Sequence, residues 1–396
     1  MNQIAAPIIS KPGAPRMAAT GREKLYALQM LRFLAAFMVF FSHVEDRYDN
    51  WEQKYHMTVP RLGLDGQLGV DIFFVISGFV MGYVALDKFG RKDAPRNFAA
   101  DRISKIIPLY WALTLLQCVI FLASSRLGGH FDMGRLNLGE LFKSLFFIPY
   151  FNVEGKHRPI LGQGWTLNYE MAFYVVVAAS LFLRRAWGIA AITASFFLVW
   201  LAGTLLHSQN ALLRVWSSPI IFEFLMGFYL AAVRSAWLAS GRTLPRIPGV
   251  TLLIAAIVMI HVLFVGRHAS MWVNAGVGLV TVGLCVLTWN TAPRDIVRRT
   301  MVRLGDSSYS LYLSHNLTLL AMGVMWRGIF GPHAIWAYVP AVIAAGLMAG
   351  HLCYLVLEQP GTRLLRSVLR GRSGRREPQP APAQEADFSL ASTLSE

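Results

Sequence analysis

The feature that most restricts this chain is an apolar run of about twenty residues that recurs ten times. The runs lie at roughly 25–43, 68–86, 106–123, 165–183, 186–206, 216–233, 249–265, 271–290, 305–326 and 334–357. Each is at or near the ~20 residues that carry a helix across ~30 Å of hydrocarbon at 1.5 Å per residue. The predicted fold class is therefore an all-α integral membrane protein, a bundle of about ten transmembrane helices. Composition excludes an ordinary soluble globule: 55% of residues are hydrophobic and only 15% charged, where a soluble domain carries ~25% charged residues. Disorder, a collagen-like chain and a disulfide scaffold are excluded as well. Gly has no triplet period, and the three Cys (Cys118, Cys285, Cys353) all lie inside apolar runs, where a thiol behaves as a small hydrophobe.

The net charge is +15, from 37 Lys/Arg against 22 Asp/Glu. Its placement argues against a nucleic-acid partner, because the basic residues sit between apolar runs rather than along one polar face. With ten spans and the N-terminus inside, 25 of the 37 fall on inside segments and 11 on outside ones, the asymmetry that the positive-inside rule predicts. Both termini are then cytoplasmic. Residues 1–24 read as a cytoplasmic disordered lead without the pattern of a secretory signal. Residues 25–360 read as a single transmembrane domain, and 361–396 as a cytoplasmic tail, basic and then disordered. The run at 141–151 is short and contains Lys143 and Pro149, which suits an interfacial or re-entrant piece. Arg184-Arg185 is expected to make a tight turn between the fourth and fifth helices.

Five charged residues fall within the ten spans: Arg32, Asp71, Glu170, Glu223 and Asp306. Each costs at least ~2.5–3.5 kcal/mol at mid-membrane, so each needs a partner, a wet cavity or a function. A polar clamp between helices is the alternative to a functional role. Arg32 and His43 are eleven residues apart, close to a whole number of helical turns, and so share one face with a rise of ~16 Å. Asp71, Glu170 and Glu223 each fall within two turns of the outer end of their spans, and this predicts an outer layer of carboxylates level with His43. At the inner end, Arg102 and Lys105 are i, i+3 neighbours. Such a pair marks topology and binds lipid headgroups, or holds a phosphorylated cytosolic donor.

Several segments in order resemble one family. These are LRFLAAFMVFFSH (31–43), GVDIFFVISGF (69–79), RISKIIPLYW (102–111), GWTLNYEMAFY (164–174), LGDSSYSLYLSH (304–315) and LEQP (357–360). The chain is thereby identified as similar to the bacterial membrane acyltransferase-3 family of O-antigen, Nod-factor and exopolysaccharide O-acetyltransferases, and Asn168-Tyr169 looks most like the exopolysaccharide branch. The resemblance implies transfer of an acetyl or similar short acyl group from cytosolic acetyl-CoA, a co-substrate rather than a bound cofactor, to a sugar hydroxyl. It places that acceptor, lipid-linked forms included, at the outer face of the bacterial cytoplasmic membrane, with membrane lipids and polysaccharide-assembly proteins as further partners. Arg32, His43, Asp71 and Glu170 fall on its catalytic pattern, and Arg102 with Lys105 on its CoA-binding Arg-x-x-Arg. Lys105 keeps the charge there but loses the planar fork. Trp165, Thr166, Tyr174 and His315 are the implied acceptor contacts. No metal is expected.

Acyl transfer to a hydroxyl needs a base and a stabiliser for the developing oxyanion. Imidazole titrates nearest neutrality, so His43 is the candidate base, with Asp71 expected to fix its tautomer. The alternatives are an acyltransferase for a small acceptor such as a macrolide, and a proton-coupled transporter. The transporter predicts inverted repeats with broken helices in matching positions, and the sequence shows no such pairing.

Overall fold

The computed structural model describes residues 25–55, 63, 64, 66–126, 137–152, 155–245, 247, 250–264, 270–288, 295–331 and 335–370. The lead at 1–24 and the tail beyond 370 lie outside them. Among the described residues every regular element is helical: α1 (Tyr26–Tyr55), α2 (Gly66–Ala85), α3 (Ala94–Arg126), α4 (Leu138–Leu145), α5 (Trp165–Ser180), α6 (Arg185–Leu206) and α7 (Ala211–Trp216). They are followed by α8 (Ile221–Ala239), α9 (Val250–Phe264), α10 (Met271–Leu287), α11 (Ile296–Asp306), α12 (Ser308–Phe330), α13 (Ile335–Cys353) and α14 (Gln359–Arg370). A π-helical turn, Tyr354–Glu358, joins α13 to α14.

Among the described residues, six stretches are long and apolar enough to cross a membrane: Tyr26–Tyr48, Gly66–Ala85, Ala94–Ser124, Arg185–Leu206, Ile221–Ala239 and Trp336–Arg370. The other four expected spans are also helical but shorter or more polar. α5 has 16 residues, α9 has 15 and α10 has 17, while α12 opens on the polar sequence SYSLYLSHN. The piece at 141–151 forms α4, only eight residues long, followed by a turn, and so does not span.

Three boundaries differ from the hydropathy reading, and each moves a charged group. α1 runs on to Tyr55, so His43 lies within the helix rather than at its end. α3 starts at Ala94 rather than 106, so Arg96, Arg102 and Lys105 are helical. Apolarity marks only the hydrocarbon-crossing part of a helix, and these helices continue beyond it. Residues 361–370, expected within the tail, are helix α14, tied to α3 where Arg366 and Arg370 meet Asp101 at 3.3 and 2.6 Å.

α2 is the hub of the bundle. Its span window is 78% buried against 11% for α6, so α6 presents Trp187, Phe197 and Leu198 to lipid while α2 is enclosed by protein. Small residues make that enclosure possible. A Cβ on Gly78 would meet the Phe224 carbonyl oxygen of α8 at 2.0 Å, and one on Gly227 would meet the Val75 oxygen of α2 at 2.0 Å. One turn on, Gly82 lies against Ala231. Both helices thus carry a small residue every fourth position, and their backbones touch. Phe74, Phe173 and Phe224 then knit α2, α5 and α8 with ring centroids 4.7 and 4.8 Å apart.

Candidate functional site

A cavity of about 140 Å³ opens between α1, α2, α3, α5 and α12. Three cations line it: Arg32 from α1 and the Arg102 and Lys105 pair from α3. α5 contributes Thr166, Glu170 and Tyr174, which at i, i+4 and i+8 form one stripe. The Glu170 carboxylate accepts from Ser77 Oγ at 2.5 Å and from Tyr174 Oη at 3.1 Å. Its negative charge is therefore held by hydroxyls of α2 and α5 and lies within electrostatic reach of Arg32 and Arg102.

The three cations are not equivalent. Lys105 is paired with Glu358, which is 1% exposed and also accepts from Ser310 Oγ. Arg102 lies over the Phe98 ring at 5.9 Å, and its buried Nε has no hydrogen-bond partner among the described residues. Arg32 donates a hydrogen bond to Gln29, at 3.4 Å. Among the described residues neither guanidinium forms a salt bridge, and two such groups in a partly apolar cavity attract phosphate or another oxyanion, because the low local dielectric strengthens the pairing.

Farther along the same two helices, His43 of α1 meets His315 of α12, ring centroids 5.0 Å apart at 63°. His43 Nδ1 lies 2.8 Å from the Val39 carbonyl and His315 Nδ1 lies 3.3 Å from the Leu311 carbonyl. A carbonyl only accepts, so each Nδ1 carries the proton and each Nε2 keeps a lone pair. His315 Nε2 is buried without a partner among the described residues. Tyr312 stands between this pair and the cavity. It lines the cavity, packs 6.1 Å from the His315 ring, and its hydroxyl meets Thr166 Oγ1 at 3.1 Å and the Gln163 carbonyl at 3.3 Å.

The expected outer layer of carboxylates level with His43 does not form. Glu170 belongs to the cationic cavity, because α5 is only 16 residues long and five residues already bring the chain well down it. Asp71 is fully buried, accepts from Gln67 Nε2 at 2.8 Å and faces Glu223 of α8. Among the described residues its hydrogen bond runs to Gln67, and the bond that His43 makes runs to Val39. The tautomer of His43 is set by the Val39 carbonyl instead. Trp165 packs edge-on against Phe74 and Tyr169, supporting the start of α5 rather than lining the cavity.

Several residues of the site escaped the sequence reading. Tyr309 and Tyr312 line the cavity three residues apart on α12, and the SYSLYLSH pattern held that signal. Glu358 stood in LEQP with no role attached. His157, in the segment before α5, accepts from Asn168 Nδ2 at 2.8 Å, and burial pushes its pKa down to about 4. Ser144 anchors the same region: its hydroxyl meets Tyr150 Oη at 2.9 Å and the Ile160 amide at 3.1 Å, and its carbonyl accepts from Tyr110 Oη at 3.0 Å.

Residues 25–357 match the family model described as an acyltransferase domain. The exopolysaccharide production protein ExoZ of Rhizobium meliloti (strain 1021) is 32% identical, over 81% of this chain and 96% of the relative. The acyltransferase MdmB of Streptomyces mycarofaciens is 26% identical, over 90% and 94%. Nodulation protein 10 of Rhizobium leguminosarum bv. viciae is 26% identical, over 87% and 95%. No solved structure matches the chain.

Proposed function

Since this chain belongs to the acyltransferase-3 family, whose domain spans residues 25–357, we propose that it is a membrane O-acyltransferase acting on an exopolysaccharide or other cell-surface glycan. The donor in this reading is cytosolic acetyl-CoA or a similar short acyl-CoA. The acceptor hydroxyl waits at the outer face of the bacterial cytoplasmic membrane, on a glycan delivered by assembly proteins. The ten helical segments then all cross or enter the bilayer, with both termini cytoplasmic, as the distribution of Lys and Arg favours. The exopolysaccharide role in the name of the ExoZ relative supports the glycan acceptor.

One observation carries the reading: α1 and α12 each bear both halves of the chemistry. Arg32 and Tyr309 line the cationic cavity, and His43 and His315 meet farther along the same helices. CoA phosphates bind Arg32 and Arg102, and the acyl-pantetheine arm extends past Tyr312 toward the histidines. His43 Nε2 takes the proton of the acceptor hydroxyl as its oxygen attacks the thioester carbonyl. The tetrahedral intermediate collapses, the C–S bond breaks, and the CoA sulfur leaves with the proton from the imidazolium. An ester and free CoA thiol are the products.

The test is transfer of radiolabelled acetyl from acetyl-CoA to de-O-acetylated polysaccharide by the protein in membrane vesicles, with NMR of polysaccharide from a deletion strain. Label on the glycan and lost O-acetyl signals in the strain are expected. Unchanged polysaccharide together with solute accumulation in vesicles would instead mean transport.

A further inference from the structure

A second cavity, of about 290 Å³, lies beyond the histidine pair and shares no lining residue with the cationic one. Its polar lining includes Arg47, Gln117, Asn152, Arg158, Gln163 and Asn316, drawn from α1, α3, the segment between α4 and α5, and α12. Two of these sit beside the histidines in their helices. Arg47 is one turn past His43 on the same face of α1, and Asn316 directly follows His315 on α12, about 100° around that helix. Gln163 links the cavity to the barrier below, since its carbonyl accepts from Tyr312 Oη.

Resting on the reading of the chain as a glycan O-acyltransferase, we propose that this second cavity is the acceptor site and that it takes a single hydroxyl-rich sugar unit of the glycan. The lining suits that chemistry. Amide groups pair with vicinal hydroxyls as donors and acceptors at once and guanidinium groups donate to them, while Phe121 and Tyr150 offer aromatic surface for a sugar face. Burial pushes the Tyr150 pKa up to about 12, so its hydroxyl stays neutral. Gln163 is 5% exposed and its Nε2 is buried without a partner among the described residues. A buried donor of this kind is costly unless something fills it, and a sugar hydroxyl does so. The volume falls near the lower end for small-molecule sites, about 300 Å³, which suits one ring rather than a length of polymer. The wall is also held in place through Ser144, whose side chain ties Tyr150 to the Ile160 amide.

The experiment uses the full chain in membrane vesicles, radiolabelled acetyl-CoA, and as probe the alkali-deacetylated repeat-unit oligosaccharide of the producing strain's own exopolysaccharide. Asn316→Ala, Arg158→Ala and Gln117→Ala should each raise the apparent KM for the oligosaccharide about tenfold, the effect of a lost hydrogen bond to ligand. The KM for acetyl-CoA should stay within about twofold, so that the effect is confined to the acceptor. The near-isosteric Asn316→Asp and Gln117→Glu provide the same reading if an alanine variant fails to accumulate. Wild-type transfer to the oligosaccharide with all variants at wild-type acceptor KM would overturn the site and leave the glycan reading standing. Label transferred only to a small apolar alcohol such as a macrolide, and never to the oligosaccharide, would overturn both.

Discussion

His43 and His315 face each other edge to ring at 5.0 Å, and each commits Nδ1 to the carbonyl four residues before it in its own helix. Two imidazoles on different helices thus hold the same tautomer without a carboxylate. Replacing Asp71, whose hydrogen bond runs to Gln67, therefore leaves that tautomer in place. His43→Ala should lower acyl transfer about 10²–10⁴-fold, the usual contribution of a general base, with normal amounts of protein in the membrane. Asp71→Asn should cost far less in kcat. Equal losses from the two substitutions, measured as initial rates on equal amounts of protein, would contradict the assignment.

Arg102 and Lys105 are three residues apart, yet among the described residues only Lys105 forms a salt bridge, with Glu358. Arg102→Ala should raise the apparent KM for acyl-CoA by about ten- to hundredfold, as expected for a lost charged hydrogen bond worth ~1.5–3 kcal/mol. Lys105→Met should change it much less, because Glu358 already occupies that ammonium. Donor titrations on both variants distinguish the two.

Glu358 is buried and joins Lys105 to Ser310. Lys105→Met leaves that buried carboxylate with the Ser310 hydroxyl but no cation, so the detergent-solubilised variant should melt below the wild type. Adding Glu358→Gln should restore most of the loss. A double variant no more stable than Lys105→Met would show that the pair does not couple.

The α2–α8 contact leaves no room for a methyl group at Gly78. Gly78→Ala forces the backbones apart and should destabilise the bundle by about 1–3 kcal/mol, seen as earlier thermal aggregation in detergent. Gly162→Ala, at a position with open space around it, serves as the control.

His157 gives a pH dependence of known sign. Its pKa is lowered from 6.5 to about 4, so protonation favours the unfolded segment. The stability of that segment is complete above about pH 6.5 and is lost as pH falls toward about 4. Protonation also removes the Nε2 lone pair that Asn168 donates to. Hydrogen exchange across residues 155–164 should speed up over that interval in the wild type and respond less in His157→Gln.

Much of the architecture was legible in the sequence because a membrane helix must be apolar for about twenty residues, and each of the ten expected runs contains helix. Helix length outside the hydrocarbon was not legible, since nothing forces the emerging turns to be apolar. The early start of α3 and the long reach of α1 were missed for that reason, and with them the depth of Arg102 and His43. Within the site, Arg32, Glu170, Thr166, Tyr174, Arg102 and Lys105 do share one cavity, and His43 and His315 do meet. The separation of Asp71 from His43 depends on how α1 and α2 rotate against each other. The close approach of Gly66 to Ser42 and of Gly69 to the Ala35 carbonyl fixes that rotation, and no spacing along a single helix encodes it.

The ion pairs between α3 and the C-terminal helix alternate in sign. α3 presents Asp101 and then Lys105 one turn later, and the partner answers with Arg366 and Arg370, then Glu358 at the end of the π turn. Sliding the last helix one way along α3 would bring Arg366 toward Lys105, and sliding it the other way would carry Glu358 toward Asp101. The register of this helix on α3 is thus proofread by charge, in a place where greasy surfaces would accept many alignments.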